Sequence, residues 1–147
     1  MRRKSFAEMN CSVARTLDIV GDPWTLLIVR DLFRRIERFD DLKESLGIAR
    51  NTLTARLKDL VDNGIVERVE YQANPPRYDY RLTAKGRALG PIILTLMSWG
   101  DEWADRGEPL VVTVERATGR RVTPILVDEE TGIRVTDSRF ETRAANQ

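Results

Sequence analysis

The chain has 147 residues, of which 41% are hydrophobic and 32% charged, with a net charge of +1. That length suits one domain with a small appendage, and the balance of apolar and mixed charged residues excludes simple disorder and a polycation that coats nucleic acid. One cysteine, Cys11, and no histidine exclude an intrachain disulfide, a Cys/His metal site and catalytic triads built on histidine.

In chain order, Met1-Arg2-Arg3-Lys4-Ser5 is basic but no signal-type apolar segment follows it. No apolar run approaches the ~20 residues that span a bilayer, so a cytoplasmic protein without a membrane partner is expected. Val13, Leu17 and Val20 have helical spacing, and Gly21 stops that helix. Asp22-Pro23 opens a second helix, with Asp22 as N-cap and Pro23 at its first position. Trp24, Leu27, Ile28, Val29, Leu32 and Phe33 make it the central core helix. A short helix enters at Phe39 and runs to Leu46, with Asp40 and Asp41 near its positive end and Gly47 in the turn.

The next helix is expected from about Arg50 to Asn63. Leu53, Leu57, Leu60 and Val61 form its inner stripe, and its other face is basic and rich in hydroxyls. Asn63-Gly64 ends it in the left-handed conformation. Ile65–Tyr71 and Arg77–Leu82 read as two strands joined by a proline-stiffened tip, Gln72–Pro76. Thr83 caps a long last helix, in which Pro91 is expected to cause a bend. Leu89, Ile92, Ile93, Leu96, Trp99 and Trp103 line one side of it.

Beyond it, Thr118-Gly119-Arg120-Arg121-Val122-Thr123 is echoed by Thr131-Gly132-Ile133-Arg134-Val135-Thr136. These are expected to be the hairpin turns of a three-stranded meander, with positive φ at Gly119 and Gly132. Leu110, Val112, Val114, Ile125, Val127 and Val135 would pack it onto the end of the long helix. Lys and Arg exceed Asp and Glu by four in residues 1–100, and the acids exceed the bases by three in residues 101–147. The basic excess thus falls on the part with a helix followed by a wing, a device for reading duplex DNA.

The order of these elements resembles the HxlR-type winged helix-turn-helix regulators of bacteria, relatives of the MarR group. The resemblance covers roughly residues 8–103. It rests on Cys11-Ser12-Val13-Ala14-Arg15, Gly21-Asp22-Pro23-Trp24-Thr25-Leu26-Leu27-Ile28 and Arg38-Phe39-Asp40-Asp41-Leu42. It rests also on Leu53–Leu60, on Asn63-Gly64-Ile65-Val66-Glu67-Arg68, and on Pro75-Pro76-Arg77 through Gly86. Ser12 and Ala49-Arg50 stand where the family often has Pro and Ser-Pro. Ala49 is a poor N-cap, which costs about 1 kcal/mol unless another group substitutes. Some relatives carry Cys-Gly turns like a zinc ribbon; here Thr-Gly takes those places, so no metal and no cofactor are expected.

The fold expected is α+β, mainly α: a winged helix-turn-helix with a long C-terminal dimerisation helix and a small β-meander. Residues 1–107 form the DNA-binding and dimerisation domain, 108–137 the β extension and 138–147 a flexible tail. The resemblance implies a homodimeric transcription regulator, usually a repressor, on double-stranded DNA with a pseudo-palindromic operator. The alternative is a winged-helix protein-interaction module without DNA binding. Candidate DNA contacts are Arg50, Asn51, Thr52, Thr54, Ala55, Arg56, Lys58 and Arg77, because Arg, Asn and Thr match base edges and Lys matches phosphate. Leu89, Ile92, Ile93, Leu96, Trp99 and Trp103 form the expected dimer seam. A redox signal at Cys11 or a small-molecule effector is the expected input, and an enzyme is excluded by the missing catalytic groups.

Overall fold

The computed structural model describes residues 5–104, 107–109 and 111–144. They form two compact units that divide between Ile93 and Leu94. The mainly helical winged helix-turn-helix fold is as expected.

The first unit begins with α1 (Ser12–Val20), which ends at Gly21. Asp22 then starts α2 (Thr25–Phe33) by accepting the amides of Trp24 and Thr25 at 2.9 and 3.2 Å. The sequence predicts Asp22 at the N-cap with Pro23 in the first helical position; instead Pro23 and Trp24 form a turn, Trp24 holds the N-cap position and the helix starts at Thr25, with Asp22 bonding the Trp24 and Thr25 amides from before it. Ile28, Val29 and Leu32 are buried, while Leu27 and Phe33 stay exposed. Asp31 is fully buried in this helix. Its carboxylate accepts Arg30 Nε at 2.9 Å and Ser45 Oγ at 2.7 Å, with Arg34 at 3.6 Å. A buried carboxylate left unpaired would be costly, so these partners tie α2 to the helix that carries Ser45.

That helix is α3 (Phe39–Leu46), closed by Gly47 at φ 62°. It leads into α4 (Arg50–Asp62), which buries Leu53, Leu57 and Leu60. As expected, Ala49 gives α4 no side-chain cap. At the far end the Asn63 amide group donates to the Asp59 carbonyl at 2.8 Å, and Gly64 reverses the chain at φ 68°.

The wing pairs β1 (Val66–Ala73) with β2 (Pro76–Leu82), antiparallel from Val66–Leu82 to Ala73–Pro76. The register shifts at Tyr71, between Glu70 and Gln72. A third short stretch joins it, which the sequence did not reveal. Arg38 bridges to Asp79, and the Tyr80 amide donates to the Glu37 carbonyl at 2.7 Å. The linker ahead of α3 thus fixes the root of the wing.

The expected long last helix is divided into α5 (Ala84–Arg87) and α6 (Gly90–Trp103). Thr83 caps α5 as expected, its Oγ accepting the Gly86 amide at 3.1 Å. Pro91 does not bend a continuous helix. It lies in the first turn of α6, where a backbone amide has no intrahelical acceptor and its loss costs nothing.

The second unit holds the rest of α6 and the tail. Gly119 and Gly132 have φ of 71° and 67°, as expected for the two Thr-Gly turns. The continuous three-stranded meander is absent from the described residues. Each turn is instead closed by one antiparallel bridge of its own, Val114–Arg121 and Val127–Arg134. The two turns repeat each other. Thr118 Oγ1 donates to Glu115, and Thr131 donates to Asp128 through both its amide and its hydroxyl. These Thr131 bonds hold the Asp128 carboxyl below its ordinary pKa. Val112, Val114, Ile125 and Val127, expected to be covered, stay exposed, and Val135 is half-buried. Leu110 lies outside the described residues. A tail this small has too few strands to bury two apolar faces from its own residues.

Candidate nucleic-acid interface

The outward face of α4 carries Arg50, Asn51, Thr54, Ala55 and Lys58, all exposed; Thr52 and Arg56 are half-buried. The helical period causes this division, because Leu53, Leu57 and Leu60 fill the inner stripe. Seven of the eight expected DNA contacts therefore sit on one helix, and five of them share its solvent face.

Their charges are not equally free. Arg50 bonds Asp40 at 3.1 Å and lies over the Phe39 ring, 4.9 Å from its centre. Lys58 bonds Asp62, and that carboxylate raises the pKa of the ammonium. Arg56 bonds Asp59 at 2.8 Å and approaches Asp22 at 3.9 Å. Arg56 is thus joined to the acid that starts α2, and a base contact would require its release. Asn51, Thr54 and Ala55 have no such ties through charge, although Thr54 Oγ1 donates to the Arg50 carbonyl.

The wing reverses this balance. At its root two acids, Glu37 and Asp79, are matched. Glu37 takes Arg35 at 3.1 Å and Arg81 at 3.3 Å, and Asp79 takes Arg81 at 3.1 Å with Arg38 at 3.8 Å. Toward the tip, Arg77 is exposed and its side chain makes no hydrogen bond or ion pair among the described residues. Pro75 and Pro76 precede it and restrict the backbone that presents it.

Sequence reasoning missed four residues here: Arg38, Arg68, Tyr71 and Tyr78. Arg68 lies over Tyr78 at 4.0 Å and Arg38 over Tyr71 at 4.9 Å. Stacking places each guanidinium over a ring; Arg38 also reaches Asp79, while Arg68 has no ion pair among the described residues and can meet phosphate. A cleft of about 520 Å³ opens between the start of α3 and the wing, lined by Arg38, Arg77, Tyr71, Tyr78 and Tyr80 among others. The signal was available in part. Arg68 faces Tyr80 across the strands, and Glu70 faces Tyr78, so Arg68 and Tyr78 are diagonal neighbours on one face. The Arg38–Tyr71 stack depends on the third stretch of the wing, which no local pattern encodes.

Cys11 is exposed and occupies the N-cap position of α1 without a capping side-chain bond. Leu89, in the turn before α6, is half-buried; on α6 Ile93 is buried, while Ile92, Leu96, Trp99 and Trp103 are exposed. Their spacing places these four on one helical face. No group of three or more Asp, Glu or Cys side chains suited to a metal ion occurs among the described residues. No helix among them is long and apolar enough to cross a membrane.

The family model described as HxlR-like helix-turn-helix matches residues 19–108. An HTH-type transcriptional regulator of Mycobacterium tuberculosis is 43% identical over 126 residues, which is 85% of this chain and 80% of that protein. Among solved structures, PA1607, titled as a candidate transcription factor, superposes with a TM-score of 0.84 at 35% identity. That match covers 97% of this chain and 99% of the other. The reduced form of the transcriptional regulator YodB from Bacillus subtilis gives a TM-score of 0.56 at 31% identity, covering 68% and 100% of the two chains. A diamide-treated form of YodB also matches.

Proposed function

We propose, since this chain belongs to the HxlR-like helix-turn-helix family of transcriptional regulators, that it is a homodimeric repressor that reads a pseudo-palindromic operator. The observation that carries this reading is the pairing of α4's exposed polar face with the unneutralised Arg77 of the wing. Asn51, Thr54 and Ala55 read base edges in the major groove, with Asn51 suited to adenine and Thr54 or Ala55 to a thymine methyl. Arg50, Arg56 and Lys58 exchange carboxylate partners for phosphates, Thr52 supports the helix start, and Arg77 meets the phosphate-lined minor groove. Two copies meet through Leu89, Ile92, Ile93, Leu96, Trp99 and Trp103, and the β extension from residue 108 braces them. Cys11 is the residue on which a redox signal would act. Its exposure and the redox-treated forms of YodB support that reading.

Two substitutions test the division of labour. Asn51→Ala should relax preference at one operator position and cost about 1–3 kcal/mol there. Arg77→Ala should weaken binding to every sequence and lower the salt dependence by about one counterion per contact. The measurement is fluorescence anisotropy with matched and mutated operators at several salt concentrations. Equal effects of the two changes on specificity would contradict the assignment.

A further inference from the structure

The second unit holds a cleft that the DNA-reading surface does not use. It has a volume of about 270 Å³ and lies between α6 and the first Thr-Gly turn region. Leu94, Met97, Val112, Val122 and Pro124 supply its apolar wall, and Asp101, Glu102 and Arg121 its charges. Along α6, residues 94, 97, 98 and 101 follow helical spacing and form a face distinct from 92, 96, 99 and 103.

The cleft combines its apolar wall with three charged groups. Among the described residues, the Asp101, Glu102 and Arg121 side chains make no hydrogen bond or ion pair. The neighbouring Arg120 pairs instead with Glu115, on the same turn. Here two carboxylates and one guanidinium line one cleft without neutralising each other, which leaves one excess negative charge beside an apolar wall. Met97 adds a polarizable, adaptable thioether that suits an aromatic or quaternary group. Pockets for small ligands combine these parts: a mostly apolar lining and a few charged groups that fix orientation.

We propose that this cleft binds a small amphipathic cation, with the apolar body against Leu94, Met97 and Val122 and the cationic group between Asp101 and Glu102. Arg121 sets the outer limit of the cationic end and disfavours a second positive charge. This binding does not depend on the DNA-reading assignment, and it is measured without DNA.

The test is titration calorimetry on the full chain with three probes of similar size: benzyltrimethylammonium, benzyl alcohol and phenylacetate. The expected result is saturable binding of one benzyltrimethylammonium per chain, with weaker binding of the alcohol and weakest of the anion. Asp101→Asn with Glu102→Gln should weaken the cation about tenfold, as expected for two exposed charge contacts. Arg121→Gln should leave cation binding unchanged or tighten it. All three side chains are exposed, so unchanged far-UV circular dichroism is expected for both variants. Absence of saturable cation binding, preference for phenylacetate, or equal weakening by the acid and Arg121 variants would each overturn the proposal.

Discussion

Trp99→Lys is expected to disrupt self-association and weaken operator binding together. Trp99 and Trp103 are 63% and 66% exposed, and Leu96 is 50% exposed, on one face of α6. Such large apolar groups in a row on a helix surface mark an interaction face, and tryptophans dominate the energy of such faces. A lysine at the centre would bury an unpaired charge in a symmetric seam, where each copy presents it to the other. Separated chains would each hold one half-site, and the loss of bivalency should lower operator affinity about 100-fold or more. Light scattering at micromolar concentration and operator titration check both effects. Because Trp99 is exposed, the circular dichroism spectrum should be unchanged. A monomeric variant with unaltered operator affinity would contradict the account.

Gly86→Ala should have the largest effect on the fold. A Cβ at Gly86 would lie 2.2 Å from the Ile65 carbonyl oxygen and 3.0 Å from Leu82 Cδ2. The carbonyl cannot move cheaply. It accepts the Thr83 amide at 3.0 Å, and Thr83 Oγ1 donates to the Gly64 carbonyl at 2.6 Å. These bonds join the end of α4, both strands of the wing and α5 at one point. Overpacking there should cost about 3 kcal/mol, which for a chain of this size lowers Tm by about 10 °C. Gly90→Ala is the comparison. Its Cβ would meet Phe33 Cζ at 3.2 Å, but that ring is partly exposed and can turn aside. A smaller loss is expected there. Equal Tm values for Gly86→Ala and the unaltered chain, by thermal unfolding, would show that the junction yields.

What the sequence revealed and what it hid follow from the range of the interactions. Leu53, Leu57 and Leu60 recur at the helical period, so the buried stripe of α4 and its polar outer face were legible. Asp22, Gly47 and Gly64 act within a few residues of themselves, so the approach to α2, though not its first residue, and the turns on either side of α4 were legible too. The Glu37–Arg38 stretch is different. It becomes part of the wing only by meeting Asp79 and Tyr80, more than forty residues away. A separation of more than thirty residues likewise hid the tie between Arg56 and Asp22, which sets Arg56 apart from the uncharged Asn51. Pro91 was visible, but its effect depended on whether α5 and α6 were continuous. The repeat in the tail correctly gave two turns with positive φ at Gly119 and Gly132. It could not show that each turn bridges only to itself, because pairing between strands is set by the surface they cover.

The most direct test of the central claim, that the exposed face of α4 and the wing read a DNA sequence as a pair of copies, is selection of bound duplexes from a random DNA pool. The expected result is enrichment of a pseudo-palindrome whose half-sites lie about one helical turn, or roughly 34 Å, apart. Asn51→Ala should relax one position in each half-site. Failure of repeated selection to enrich any sequence over the starting pool, with folded protein at low salt, would contradict it.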